Sequence, residues 1–189
     1  DSVNSGKRYE NVYFEQTCDI DLKGEEWKPI GVFGSNNYFY GTYNGGNHKI
    51  KNLVITTLDG NNGFFGQLGG VVINLGIESG LIQGNCIGSI ASHAVGEEAL
   101  IINCYNKAAL KGMIRAGGIC DNFKSGMVVN CANVGLVNAP RSAGIVSYDA
   151  KYIINAYSED AMYRDGTFTG EHLQYVETYE VNDMIEFLN

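Results

Sequence analysis

A chain of 189 residues is long enough to bury a sizeable core as a single domain, and its 44% hydrophobic and 11% aromatic content excludes a disordered segment. The 25 glycines and 2 prolines show no three-residue period, which excludes collagen and favours β structure with many tight turns. The formal net charge of −8 disfavours nucleic acid and anionic membranes as partners, and no apolar run has the length of a membrane span.

Residues 1–49 form an irregular N-terminal opening that lacks the periodicity found further along the chain. Within it, the run at residues 12–22 predicts a strand. Asp19 and Asp21 lie two residues apart on this strand, so their carboxylates share one face, as calcium ligands or an acid–base pair would. We favour the alternative that both aspartates accept hydrogen bonds from turns.

Aromatic side chains are the candidate ligand contacts. On either side of Phe39, two tyrosines are expected to point outward by strand alternation. Tyrosine supplies rigid amphipathic area, which suits a carbohydrate-stacking or protein-contact surface; ordinary surface aromatics are the alternative. The candidate binding residues are Trp27, Tyr38, Tyr40, Tyr157 and Tyr163.

Between residues 50 and 157, three short strings recur in the same order. The first ends in an asparagine, and its asparagines are 22, 29, 27 and 25 residues apart: Asn52, Asn74, Asn103, Asn130 and Asn155. The second is glycine-rich and starts at Gly63, Gly88, Gly117 and Ala143. The third starts at Gly80, Ala109 and Gly135, and places Leu81, Leu110 and Leu136 in equivalent positions.

A period of about 26 residues with three short apolar runs predicts one three-strand coil of a parallel β-solenoid. A single coil cannot bury its inner face, but stacked coils share a continuous core. Glycine at fixed offsets provides corners with positive φ, and asparagine at fixed offsets suits a ladder of side-chain amides or a left-handed corner.

The cysteines fit the same repeat. Cys104 and Cys131 follow the repeated asparagine in successive coils, and Cys120 falls in another column, after Gly66 and Ala91. We expect buried free thiols that act as small hydrophobic side chains, with a redox pair at Cys104 and Cys131 as the alternative. The absence of any CxxC pair among the five cysteines excludes a zinc ribbon.

The opening and the repeats resemble bacterial proteins that carry GLUG repeats. The resemblance rests on DIDL at residues 19–22, WKPIG at 27–31, the run from FYGTYNGG to HKIKNL at 39–53 and GFFG at 63–66, and it covers residues 3 to about 157. It implies a right-handed β-helix in secreted or surface-attached, adhesin-like proteins. The resemblance carries no catalytic residues over to this chain. The chain departs from the family pattern at Tyr43-Asn44, where Phe-Asp is commoner.

At the C-terminus, apolar residues at 181, 184, 185 and 188 predict a short helix that closes the solenoid, within a loop-and-helix segment at residues 158–189. We also expect the first coil to lack a cap of its own. A neighbouring domain, or the same helix from a second copy, would then cover it.

Candidate catalytic groups do not gather along the repeat. Lys107, Lys111 and Arg115 do not recur with acids, and the three histidines show no metal spacing, so no catalytic residue, metal or cofactor is assigned. The sequence therefore predicts one β-helix domain over residues 1–189. Its expected role is a non-catalytic binding, adhesion or spacer module at the cell surface or outside the cell, with a surface glycan, an extracellular protein or adjoining domains as partners. A polysaccharide lyase, a hydrolase or an accessory carbohydrate-binding domain is the alternative.

Overall fold

The short apolar runs form strands that each pair with the equivalent run one coil later. The structure, a computed structural model, describes residues 2–149 and 152–158. Its strands are β1 (Tyr13–Glu15), β2 (Ile20–Asp21), β3 (Thr42–Asn44), β4 (Lys49–Lys51), β5 (Leu53–Ile55), β6 (Phe65–Leu68), β7 (Val71–Ile73), β8 (Gly76–Ile77), β9 (Gly80–Gly88), β10 (Ala91–Ala94), β11 (Leu100–Ile102), β12 (Tyr105–Asn106), β13 (Ala109–Gly117), β14 (Cys120–Phe123), β15 (Met127–Val129), β16 (Ala132–Asn133), β17 (Val137–Asn138), β18 (Arg141–Ala143), β19 (Val146–Tyr148), β20 (Tyr152–Ile154) and β21 (Tyr157–Ser158).

These strands build a parallel β-solenoid of about five coils with four sheets. The first sheet has the order β1-β3-β7-β11-β15-β20 and the second the order β2-β4-β8-β12-β16-β21. The third is β5-β9-β13-β17, with β18 also paired to β13, and the fourth is β6-β10-β14-β19. The parallel solenoid predicted from the repeat is confirmed.

The prediction of three strands per coil is wrong, because each coil contributes to four sheets. The unpredicted strand follows the asparagine corner and is only two residues long in β8, β12 and β16. Two residues are too few to show the alternation that identifies a strand in a sequence.

The strand register defines the length of a coil and corrects two of the predicted columns. In the first sheet, Val72, Ile101, Val128 and Ile153 are successive partners, so the coils hold 29, 27 and 25 residues. In the third sheet the buried column is Ile82, Leu110 and Val137, one residue out of register with the predicted Leu81, Leu110 and Leu136. In the fourth sheet, Phe65 rather than Gly66 aligns with Ala91 and Cys120. A slip of one residue exchanges the inner and outer faces, and Leu136 is accordingly 50% exposed.

An asparagine ladder runs along the corner between the first and second sheets. Each side-chain amide donates to the amide oxygen of the preceding coil, from Asn155 to Asn130, Asn103, Asn74 and Asn44 over 2.6–3.1 Å. The last four of these corners along the chain have positive φ. Asn52 does not belong to this ladder: it follows β4 in the second sheet and bonds with Ser79. The first predicted spacing of 22 residues was therefore wrong, since Asn44 begins the column.

The irregular opening already forms the first coil. Strands β1 and β2 pair with β3 and β4, and bridges at Glu26, Ile30 and Phe39 extend the third and fourth sheets. Val3 is buried, and the rings of Tyr9 and Phe14 pack edge to face with centroids 5.1 Å apart against the core. These residues pack against the first coil, while β1 and β2 stay at the ends of their sheets among the described residues. That a neighbouring domain or a second copy covers this end stays a prediction. The predicted C-terminal helix lies outside the described residues.

The cysteine prediction is confirmed for four of the five residues. Cys86, Cys104, Cys120 and Cys131 are buried free thiols, whereas Cys18 is exposed. Burial raises the pKa of Cys104 and of Cys120 well above the ordinary value for a thiol. Across the described residues, no helix has the length and hydropathy of a membrane span.

Candidate functional site

The outer face of the fourth sheet carries one prominent side chain per coil. Gln67, His93, Asn122 and Tyr148 are successive partners on β6, β10, β14 and β19. Their neighbours Ala91 and Ala94 belong to the hydrophobic core, whereas His93 and Asn122 are half-buried and Tyr148 is exposed. Gln67 is buried. Adjacent strands are about 4.8 Å apart, so the row spans about 14 Å along the solenoid axis.

The segment at residues 31–40 folds over the start of this row. The buried Gln67 amide donates to the carbonyl oxygens of Val32 at 2.6 Å and Ser35 at 2.7 Å. The Asn4 side chain accepts a hydrogen bond from Gly31 N at 2.7 Å. Gly31 and Gly34 have φ of +77° and +82°, a conformation that side chains disfavour. The loop is therefore held in one conformation by dedicated contacts.

Aromatic rings from this segment surround His93. The Phe33 ring meets His93 edge to face at 5.6 Å, and the Tyr38 ring lies 6.4 Å from it. The Tyr38 and Tyr40 centroids are 5.9 Å apart. Burial lowers the pKa of His93 and raises that of Tyr38, so both groups favour the neutral form. We call Phe33, Tyr38, Tyr40, His93, Asn122 and Tyr148 the aromatic surface.

A buried ion pair borders the far end of the aromatic surface. Arg115 donates to both carboxylate oxygens of Asp121 at 3.0 and 2.9 Å, and the Ser147 hydroxyl donates to the same carboxylate. The Arg115 guanidinium also lies 4.6 Å from the centre of the Tyr148 ring. The hydrogen bonds to Asp121 raise the pKa of Arg115. Both oxygens of the Asp121 carboxylate are therefore occupied. The hydrogen bond from Ser147 links this ion pair to the next coil.

The Oδ1 atom of Asn122 is shielded from solvent and has no hydrogen-bond partner among the described residues. Asn122 lies between His93 and Tyr148 in the row. A buried acceptor without a hydrogen-bond partner reduces the free energy of unfolding, so Asn122 is expected to destabilise the fourth sheet locally.

The structure brings together only part of the predicted site. Tyr38 and Tyr40 are adjacent and half-buried on either side of the buried Phe39. Tyr157 is 59% exposed on β21 in the second sheet, away from them, and Tyr163 lies outside the described residues. Tyr157 is separated from Tyr38 and Tyr40 because it lies on the second sheet, whereas those two tyrosines lie beside the fourth sheet.

Trp27 belongs to a separate, shallow depression. Its ring is stacked on Phe64, with centroids 4.9 Å apart and planes 6° from parallel, and its indole N–H donates to Phe64 O at 3.1 Å. The depression is also lined by Val3, Asn4, Lys28 and Ile30. One face of the indole therefore packs against the core of the first coils.

The two opening aspartates accept hydrogen bonds and ion pairs. Asp19 pairs with Lys51 at 2.7 Å and accepts from Lys49 N at 3.1 Å. Asp21 accepts from Lys23 N and from the Asn52 amide, both at 2.8 Å. These contacts lower the pKa of both carboxyls. Over the described residues, no three histidine, cysteine or acidic side chains group as metal ligands would.

Sequence reasoning missed Phe33, His93, Asn122 and Tyr148. The string Gly31-Val32-Phe33-Gly34 was the available signal, because two apolar residues between glycines predict a turn that displays them. The nearness of Phe33 to His93, 60 positions later, depends on the coil register and has no local signal.

The fold is that of a parallel β-solenoid. No protein-family model matches the chain, and no curated protein sequence does so significantly. A solved structure described as a "putative immunoglobulin A1 protease" from Bacteroides ovatus is similar, with a TM-score of 0.54 and 24% sequence identity. The match covers 79% of this chain and 60% of that one, so this chain spans less than two thirds of its neighbour's length. At this identity the likeness shows the fold alone.

Proposed function

We propose that this chain is a non-catalytic binding or adhesion module of a secreted or surface-attached bacterial protein, and that the aromatic surface makes the contact. The proposal includes the right-handed winding and the relationship to GLUG-repeat proteins that the opening motifs imply. Its partners are a surface glycan or an extracellular protein, together with adjoining domains of a larger chain.

The observation that carries the proposal is a hydrogen-bonded loop that exposes apolar side chains. Val32 is 42% exposed and Phe33 is 47% exposed, although the buried Gln67 amide fixes the backbone that carries them. A large ring on a surface loop remains in contact with water unless a partner covers it, and a loop held in place loses little entropy on binding. Both features favour recognition over a purely structural role for this loop.

The hydrogen bonds and ion pairs that three aspartates already make support a role without catalysis. Asp19 accepts a hydrogen bond from Lys49 N on the next coil, and Asp21 accepts from Lys23 N and the Asn52 amide. Asp121 is held by Arg115 and Ser147. A general base needs a carboxylate free to take a proton from a substrate. Secretion and a bacterial surface are supported by the resemblance of the opening motifs to GLUG-repeat proteins.

Binding assays on two panels test the proposal. One panel is a glycan array, and the other holds immobilised immunoglobulin A1, fibronectin, laminin and collagen. We expect saturable binding to at least one probe, weakened by Tyr38→Ala and unchanged by Tyr157→Ala, a matched tyrosine on another sheet. No saturable binding to any probe would overturn the proposal. So would formation of unsaturated product from pectin, alginate or a glycosaminoglycan that is lost in Asp19→Asn or Asp21→Asn.

A further inference from the structure

We infer that the C-terminal segment of this chain, at residues 181–188, packs as a helix across the outer face of the first sheet. The inference does not depend on the proposed function. It is carried by the composition of that face, by its place along the solenoid, and by its size relative to the segment.

The strands of the first sheet are apolar on both of their faces. Strands β7, β11, β15 and β20 have the sequences VVI, LII, MVV and YII, without a charged side chain. Val72, Ile101 and Val128, at the centres of the first three, are fully buried in the core. Parallel strands that are covered on both faces have continuous apolar sequences, whereas a sheet with one face in water alternates between apolar and polar residues. The first sheet therefore has the composition of a sheet that is covered on its outer face.

The outer residues of these strands form two columns in register along the solenoid. On the fourth sheet the outward column holds the polar residues Gln67, His93 and Asn122 instead. A contiguous apolar patch of this kind marks a surface that another element covers. We call the half-buried side chains of the two columns the apolar face: Val71, Leu100 and Met127 in one, and Ile73, Ile102 and Ile154 in the other.

The apolar face lies at the end of the solenoid where the described residues stop. At the opposite end, β1 and β3 place Tyr13, Glu15, Thr42 and Asn44 at the same outward positions. The apolar face begins at β7 and continues to β20, the last strand of the sheet. Ser158, the last described residue, follows β20 directly in β21 of the adjoining second sheet. Residues 159–189, which lie outside the described residues, therefore start beside this face.

The sequence of this C-terminal stretch contains an apolar stripe that matches the face in length. Its apolar residues at 181, 184, 185 and 188 recur at helical spacing, whereas Asp183 and Glu186 fall on the opposite side. Eight helical residues are about 12 Å long, and the three register steps from β7 to β20 span about 14 Å. Residues 159–180 are long enough to connect the two, at about 3.3 Å for each extended residue.

The size of the apolar face favours a single helix over a second copy of this chain. Its two columns are about 7 Å apart, so the face covers on the order of 200 Å² even with the width of its side chains. A stable interface between two proteins buries about 800 Å² on each partner. One short helix, about 10 Å wide with its side chains, covers the whole face.

Methionine oxidation tests this placement in the full chain. Met127 lies on the apolar face and Met184 in the stripe, while Met113, 57% exposed on β13, is an internal reference. Dilute hydrogen peroxide is the oxidant, and mass spectrometry follows each methionine. We expect Ile185→Asp to raise the oxidation rates of Met127 and Met184 together, about fivefold relative to Met113, because oxidation follows exposure. Glu186→Gln, on the opposite side of the helix, should leave all three rates unchanged.

The reciprocal change is made on the sheet. Leu100→Lys places a charge at the centre of the apolar face and should raise the oxidation rate of Met184 by a similar factor. Leu136→Lys is the matched control, because Leu136 is an outward leucine beside the third sheet and is 50% exposed. Circular dichroism shows that each variant retains the fold before it is oxidised.

Three outcomes would overturn the inference. Faster oxidation of Met184 but not of Met127 in Ile185→Asp would mean that the segment covers another surface, such as an end of the solenoid. A rate at Met127 that falls as the protein concentration rises would make a second copy of this chain the occupant. A rate at Met127 that no change in the segment alters would leave the segment without a role on this face.

Discussion

Glycine at position 76 leaves room on the second sheet for the ring of Tyr105. The Tyr105 ring lies against Gly76 on the neighbouring coil, and a Cβ atom at Gly76 would be 2.3 Å from two of its ring carbons. The Tyr105 hydroxyl donates to Glu78 at 2.5 Å, and Lys107 pairs with the same carboxylate at 3.1 Å. Gly76 thereby allows Tyr105 to come close enough to Glu78, on the preceding coil, to form the hydrogen bond.

We expect Gly76→Ala to destabilise the chain by about 1–3 kcal/mol, because the ring must move or the strands must separate. In a Tyr105→Ala background the same change should cost much less, since the clash is gone. Urea denaturation of the four proteins measures the coupling. Equal costs in both backgrounds would contradict the contact between Gly76 and Tyr105.

At the scale of the elements, the asparagine ladder combines two requirements in one residue. Asn103 has a φ of +53° and both donates to Asn74 and accepts from Asn130, each at 3.1 Å. Asparagine tolerates the left-handed conformation better than other residues with a Cβ atom. The ladder is therefore a property of the corner and not of either adjoining strand.

Replacing Asn103 separates the two requirements. Asn103→Gly keeps the backbone conformation and loses both amide hydrogen bonds, while Asn103→Ala also strains the corner. We expect Asn103→Ala to be less stable than Asn103→Gly by about 1 kcal/mol. Thermal unfolding monitored by circular dichroism measures the difference, and the reverse order of stability would contradict it.

Charges on the second sheet should make stability depend on pH. Hydrogen bonds from Tyr105 and Lys107 lower the pKa of Glu78 below its ordinary value of 4.5. As pH falls, the unfolded chain takes up the proton first, so stability is present above about pH 4.5 and is lost as pH falls through the folded pKa. The urea midpoint should decrease between pH 5 and pH 3, with a shallower slope in Glu78→Gln. Parallel slopes would contradict this role.

The elements also show how far the sequence could be read. The period, the solenoid and the buried column of the first sheet were predictable, because inward residues must repeat once per coil, whereas the predicted columns of the third and fourth sheets were one residue out of register. The second sheet was not predictable, since strands such as Gly76–Ile77 are too short to show a pattern. Within the site, Tyr38 and Tyr40 were identified by their flanking of Phe39. Their nearness to His93 required the register of coils, and a register error of one residue already misplaced Leu136.

At the scale of the whole molecule, stacking leaves the cysteines unequally accessible. Cys18 lies on the exposed opening. Cys104, Cys120 and Cys131 belong to the hydrophobic core, and Cys86 is buried opposite Arg115. Burial raises the pKa of Cys86, Cys104 and Cys120, which reduces their thiolate fraction as well as their access to reagent.

We expect one thiol per chain to react rapidly with a small disulfide reagent under native conditions, and all five to react after unfolding in guanidinium chloride. Cys18→Ser should remove the rapid phase and leave stability nearly unchanged. Mass spectrometry identifies the labelled residues. Rapid native labelling of Cys104 and Cys131 would contradict their packing between coils.

The asparagine ladder and the core columns repeat once per coil, so the length of the solenoid along its axis changes by one whole coil at a time. Inserting a second copy of residues 101–127, the length of one register step, would raise everything beyond it by about 4.8 Å. Every amide donor would still meet an acceptor, and neither end would be altered. Gene duplication within such a stack would lengthen the solenoid in fixed increments, so that the distance between its two ends can grow without either end being rebuilt.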